Sequence, residues 1–83
     1  MNPYYNTKEA SIFWIQTSEE AIHFIDGIIT AYDGVANVRR DYIIKEGKLY
    51  FKVFVTDGMH DEFFSIIERC KKYVPITDIV IAQ

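Results

Sequence analysis

At 83 residues the chain has room for one domain around one core, and 49% apolar, 16% aromatic and 25% charged content describe a globular rather than a disordered sequence. A net charge of −3, from 9 basic and 12 acidic residues, works against nucleic-acid binding driven by the phosphate backbone, which needs clustered cations beyond Arg39-Arg40 and Lys71-Lys72. No run of about 18 apolar residues could span a bilayer, the opening Met1-Asn2-Pro3-Tyr4-Tyr5-Asn6 lacks the regions of a signal peptide, and one cysteine, Cys70, makes neither an internal disulfide nor a thiol metal site. These features point to a cytoplasmic protein without a cofactor.

Residues 1–9 read as a polar lead-in to a single domain covering residues 1–83. Ser11-Ile12-Phe13-Trp14-Ile15-Gln16 is a β-branched and aromatic run of strand length. Thr17 and Glu20 have the spacing of a capping box, which predicts a helix over 18–32. Its buried stripe is Ile22, Ile25, Ile29 and Tyr32, and Gly34 suits the left-handed position that closes it.

From Val35 to Lys45 and from Lys48 to Thr56 the apolar period becomes two. With Glu46-Gly47 as a two-residue loop, Ile44 faces Leu49, Tyr42 faces Phe51 and Val38 faces Val55; Asp41 faces Lys52, Arg39 faces Phe54 and Asn37 faces Thr56. Asp57-Gly58 opens a second helix with Phe63, Ile67, Cys70 and Val74 inward, Lys71 and Lys72 suit its C-terminal dipole, and Pro75 stops it. The last strand is Ile76 to Ala82. Strand, helix, strand, strand, helix, strand, joined by right-handed crossovers, predicts an α+β, ferredoxin-like βαββαβ sandwich: a four-stranded antiparallel sheet of order 4-1-3-2 with two helices on one face.

Such a sheet leaves its other face bare. Alternation puts Tyr50, Lys52, Phe54 and Thr56 there, the hairpin register adds Arg39, Asp41 and Ile43, Gln16 brings Trp14 and Ile12, and Asp78 brings Ile76 and Val80. Monomers seldom expose so continuous an apolar patch. Burying four such side chains favours association by about 6–10 kcal/mol before the entropic cost of binding. Trp14, Ile43, Tyr50, Phe54 and Val80 are therefore the candidate interface, and a second identical chain is the simplest cover. The competing cover is the N-terminal segment with Tyr4 and Tyr5.

Candidate chemistry is sparse, and the chain reads as no enzyme. His23 lies among Glu19, Glu20 and Asp26 on a solvated helix side with no nucleophile beside it. His60 has no neighbours at metal-ligand spacing, and Cys70 falls in an apolar stripe as an inert buried thiol. Glu19 and Glu20 already occupy the anion-attracting end of the first helix. Arg39 over Phe54 suits a cation–π pair, and Arg40 at the sheet margin could clamp an anionic effector. The plainer reading of both is positive charge guarding an edge strand.

Several families share this order of elements. Two cysteines in the first loop, as in heavy-metal-associated domains, are missing, and Gln16-Thr17-Ser18-Glu19 is not the glycine-rich loop of an acylphosphatase. Lys48-Leu49-Tyr50-Phe51-Lys52-Val53-Phe54 resembles the third-strand motif of RNA-recognition motifs at Lys48 and Tyr50 but departs from it at Leu49, Phe51 and Lys52, leaving single-stranded RNA as the alternative ligand of the aromatic face. Ala31-Tyr32-Asp33-Gly34-Val35-Ala36-Asn37-Val38 resembles the helix end, glycine and second strand of ACT-like regulatory domains. Ile25 to Arg39 is similar to a group of short, uncharacterised bacterial ACT-like proteins, and the likeness covers about residues 11–82. That resemblance implies a homodimer that binds small effectors or a protein partner. The family's effector loop usually holds an Asp and a Pro-Gly pair, where this chain has Gln16-Thr17-Ser18.

Overall fold

The computed structural model describes residues 10–82, Arg40 through its backbone alone. The elements are β1 (Ala10–Thr17), α1 (Glu19–Thr30), β2 (Ala36–Lys45), β3 (Lys48–Thr56), α2 (His60–Cys70) and β4 (Ile76–Ile81). They build a mixed α+β domain of two helices and an antiparallel sheet, whose described strands lie in the order β2-β3-β1-β4. No helix among the described residues is long and apolar enough to cross a membrane.

Period-two alternation sorts the strands into a buried and an open side. Phe13, Ile15, Phe51, Val53 and Val55 pack against Ile22, Ile25 and Ile29 of α1 and Phe63, Ile66, Ile67 and Cys70 of α2 in one core. Both helices therefore cover the same face.

Several boundaries differ from the sequence reading. Ser18, not Thr17, caps α1: its Oγ accepts the Ala21 N–H at 3.1 Å. Thr17 is the last residue of β1, buried, and its hydroxyl donates to the Pro75 carbonyl; a side chain committed to the core cannot also cap a helix. The helix stops at Thr30 with Ala31 as its C-cap, so Gly34 (φ 79°) serves the following turn and Tyr32 lies outside the helix, 38% exposed, rather than in the buried stripe. Helix α2 begins at His60 after Gly58 (φ 87°), and Val74 packs against the core from beyond the helix end.

The β2–β3 hairpin turns at Glu46 (φ 54°) and Gly47 (φ 79°), the doubly positive geometry that matches strand twist in a two-residue loop. Next to the turn the pairs are Lys45 with Lys48, Ile44 with Leu49, Ile43 with Tyr50 and Tyr42 with Phe51. Beyond Tyr42 the register slips: Val38 lies opposite Val53 rather than Val55, and Asn37 opposite Phe54 rather than Thr56. Residues 39–41 thus bulge against Lys52 alone, and neither Arg39–Phe54 nor Asp41–Lys52 is a register pair. Two extra residues leave the alternation of faces intact, which is why Val38 is still buried. A second slip, between Gln16 and Thr17, pairs Ile76 with buried Thr17 and turns it toward the core instead of the open face.

Candidate functional site

The side of the sheet away from the helices is organised in cross-strand rows. One row runs Asn37, Phe54, Ile12; the next Lys52, Trp14, Val80; the third Ile43, Tyr50, Gln16, Asp78. Directly opposed residues of antiparallel strands share a face, so these side chains are neighbours. Ile12, Trp14, Tyr50 and Phe54 are half-buried, and Ile43 and Val80 are each 44% exposed. The structure therefore brings together Trp14, Ile43, Tyr50, Phe54 and Val80, the five residues singled out from alternation.

Cations lie on the rings. The Lys52 ammonium is 5.9 Å from the Trp14 ring and 5.4 Å from the centroid of Phe54, and the Arg39 guanidinium is 5.8 Å from that same Phe54 centroid. Both are within cation–π range. Arg39 reaches Phe54 although the bulge removes it from the opposing register position. The side chain of Arg40 lies outside the described residues, as do Tyr4 and Tyr5. The face is thus amphipathic: apolar rings carry positive charge over β3 and β2, and Asp78 carries negative charge on β4 at the opposite margin.

The remaining polar candidates are dispersed. His23 is exposed on α1. His60, the first residue of α2, stands edge-on to Phe13 with centroids 5.6 Å apart, and its Nε2 is 3.1 Å from Ser11 Oγ. That tie joins residues 49 apart in sequence and leaves no local signal. Cys70 is 1% exposed, and burial raises its thiol pKa. Among the described residues no three His, Cys, Asp or Glu side chains assemble as a metal-ligand set.

A second surface was not foreseen from sequence. Arg69 Nη1 donates to the Tyr32 hydroxyl at 2.7 Å, bridging α2 to the turn after α1. On one side of the bridge lies a shallow groove of about 340 Å³, lined by Phe24, Ile28, Cys70, Lys72 and Tyr73, where the Phe24 and Tyr73 rings lie 5.9 Å apart. Helical periodicity gives which residues leave the core but not that Phe24 of α1 meets Tyr73, three residues beyond the end of α2.

No protein-family model, no curated protein and no solved structure matches the chain.

Proposed function

We propose that the chain is a non-enzymatic, ACT-like regulatory or protein-interaction module on a ferredoxin-like βαββαβ sandwich of strand order 4-1-3-2, and that it works as a homodimer closed through its open sheet face. The observation that carries this reading is the contiguous patch of Ile12, Trp14, Tyr50 and Phe54, continued by exposed Ile43 and Val80. A patch of this kind is stabilised by removal from water, at about 25 cal/mol per Å² of apolar area. A second copy is the simplest cover, because an isologous contact between stacked sheets sets this one apolar patch against itself.

Light scattering tests the reading. The wild-type chain gives a two-chain mass at micromolar concentration, and Phe54→Glu, which removes the ring from the patch and puts there a carboxylate that dimerisation would have to desolvate along with Lys52 and Arg39, gives one chain with unchanged circular dichroism. A folded wild-type monomer, or a Phe54→Glu variant of unchanged mass, rejects it. A thermal-shift screen of amino acids, nucleotides and other metabolites then seeks the effector, since a ligand of the folded state raises the melting temperature.

Lys52 seated between Trp14 and Phe54 favours one other reading, single-stranded RNA on the same face, where rings stack bases and cations meet phosphates. Binding of a fluorescent oligonucleotide at low salt, lost in Tyr50→Ala and Phe54→Ala, supports it; no binding at low salt ends it.

A further inference from the structure

We propose that the free edge of β2 is a self-recognition strand, which pairs antiparallel with β2 of a second copy about a twofold axis through Ile43. This contact is separate from the open-face dimer and joins two sheets edge to edge.

Strand β2 is terminal in the described sheet, with β3 on one side only. Proteins guard such edges with bulges and charge. The N-terminal half of β2 has both, in the irregular stretch Arg39-Arg40-Asp41. The half beside the turn has no bulge, and its one charge is Lys45 at the strand's last position. It is in regular register, and Tyr42, Ile43 and Ile44 are 57%, 44% and 66% exposed. Tyr42 and Ile44 point to the helix side and Ile43 to the open side, so this stretch of edge is apolar above and below.

The backbone is poised to match. Residues flanking a two-residue hairpin loop exchange hydrogen bonds, and the pattern alternates from there. Lys45 and Ile43 therefore spend their backbone groups on β3, while Ile44 and Tyr42 turn theirs outward to the free edge.

The sequence selects a second copy and fixes the register. A twofold axis normal to the sheet keeps each residue on its own face, so it must pass through a residue. Centred on Ile43, it sets Tyr42 against Ile44, the two residues with outward backbone groups, and brings Asp41, exposed at the near end of the bulge, toward exposed Lys45. Both cross-strand pairs are favourable and each occurs twice. Centring on Tyr42 opposes Lys45 with Arg39, and centring on Ile44 opposes Asp41 with Gly47. Only one register is complementary to itself.

Ile43→Cys tests it. In the proposed register the two copies of residue 43 form a non-hydrogen-bonded pair, about 4.5 Å between Cα atoms, within disulfide reach; two copies of residue 45 are about 13 Å apart. Cys70, the one native cysteine, is buried. Mild oxidation is expected to link Ile43→Cys into covalent dimers and to leave Lys45→Cys unlinked. Adding Lys45→Asp to Ile43→Cys abolishes linking, and adding Asp41→Lys to that variant restores it. Linking persists when Phe54→Glu is added, which separates this contact from the open face. Equal linking at 43 and 45, no rescue by the charge swap, or loss of linking with Phe54→Glu overturns the proposal. All the substituted edge residues are exposed, and circular dichroism verifies that each variant is folded.

Discussion

The Tyr32 hydroxyl accepts a 2.7 Å hydrogen bond from Arg69 Nη1, so the turn leaving α1 is fastened to the last turn of α2 by two side chains 37 residues apart. Both residues are exposed, and water competes for the bond. Tyr32→Phe keeps the ring and removes the acceptor. It is expected to cost about 0.5–1 kcal/mol in urea unfolding, with no effect on molecular mass.

Phe63 is fully buried and packs on Phe13 and Phe64 at centroid distances of 5.3 and 5.4 Å. Phe63→Ala removes both ring contacts and leaves a cavity, a loss of about 3–5 kcal/mol. In a domain this small that approaches the whole of its stability. Phe63→Leu, with less volume lost, is expected to remain folded with a lowered urea midpoint.

The Cys70 thiol stays neutral in the core because burial raises its pKa. In the unfolded chain it ionises near its ordinary value, about 8.5. Above that pH the unfolded state holds fewer protons than the folded one, so stability falls as pH rises toward the raised folded-state value. Stability measured by urea from neutral to strongly alkaline pH is expected to decline, and Cys70→Ala to flatten part of that decline. The native thiol is expected to react with an aromatic disulfide reagent only after denaturation.

Gly47 sits at φ 79°, in the left-handed region, in the two-residue turn between β2 and β3. Its Cβ position is open, with nothing within 4 Å, so Gly47→Ala isolates the backbone effect. The expected cost is about 1–2 kcal/mol. Glu46, at φ 54° without being glycine, is expected to gain a few tenths of a kcal/mol on replacement by asparagine, about the span separating good from poor turn formers. Thermal melts of the two variants, moving in opposite directions, check both.

Trp14, the one tryptophan, lies at the centre of the open face with the Lys52 ammonium 5.9 Å from its ring. Its emission reports on the cover of that face. On the homodimer reading, emission shifts to the red on dilution and also in Phe54→Glu at fixed concentration. An emission maximum independent of both counts against the reading.

Much of this architecture was legible in the sequence because alternation is a strong constraint. Leu49, Phe51, Val53 and Val55 cannot share a face with Tyr50, Lys52 and Phe54, and that parity, with the hairpin register and the polar Gln16 and Asp78, assembled the candidate surface. The details that escaped were contests between local and tertiary demands. Thr17 and Ser18 are both good caps, and Ser18 caps because Thr17 is held in the core by its bond to Pro75. Tyr32 has helical spacing from Ile25 and Ile29, yet the helix ends before it. Lys52 reads as the open-face partner of Asp41, and the slip at residues 39–41 breaks that pairing while Lys52 lies over the Trp14 and Phe54 rings. Arg39 reaches Phe54 as expected from sequence, but by a different path from the one the simple register implied.

The slip at residues 39–41 has a consequence for any change of length in this strand. Two surplus residues make one full pleat, so the polypeptide on either side keeps the same up-and-down phase. Deleting one of the three leaves two residues against Lys52, a one-residue bulge that absorbs the surplus locally. Deleting two would merely straighten the ribbon. The irregular stretch can therefore shorten while Val38 keeps its place toward the core.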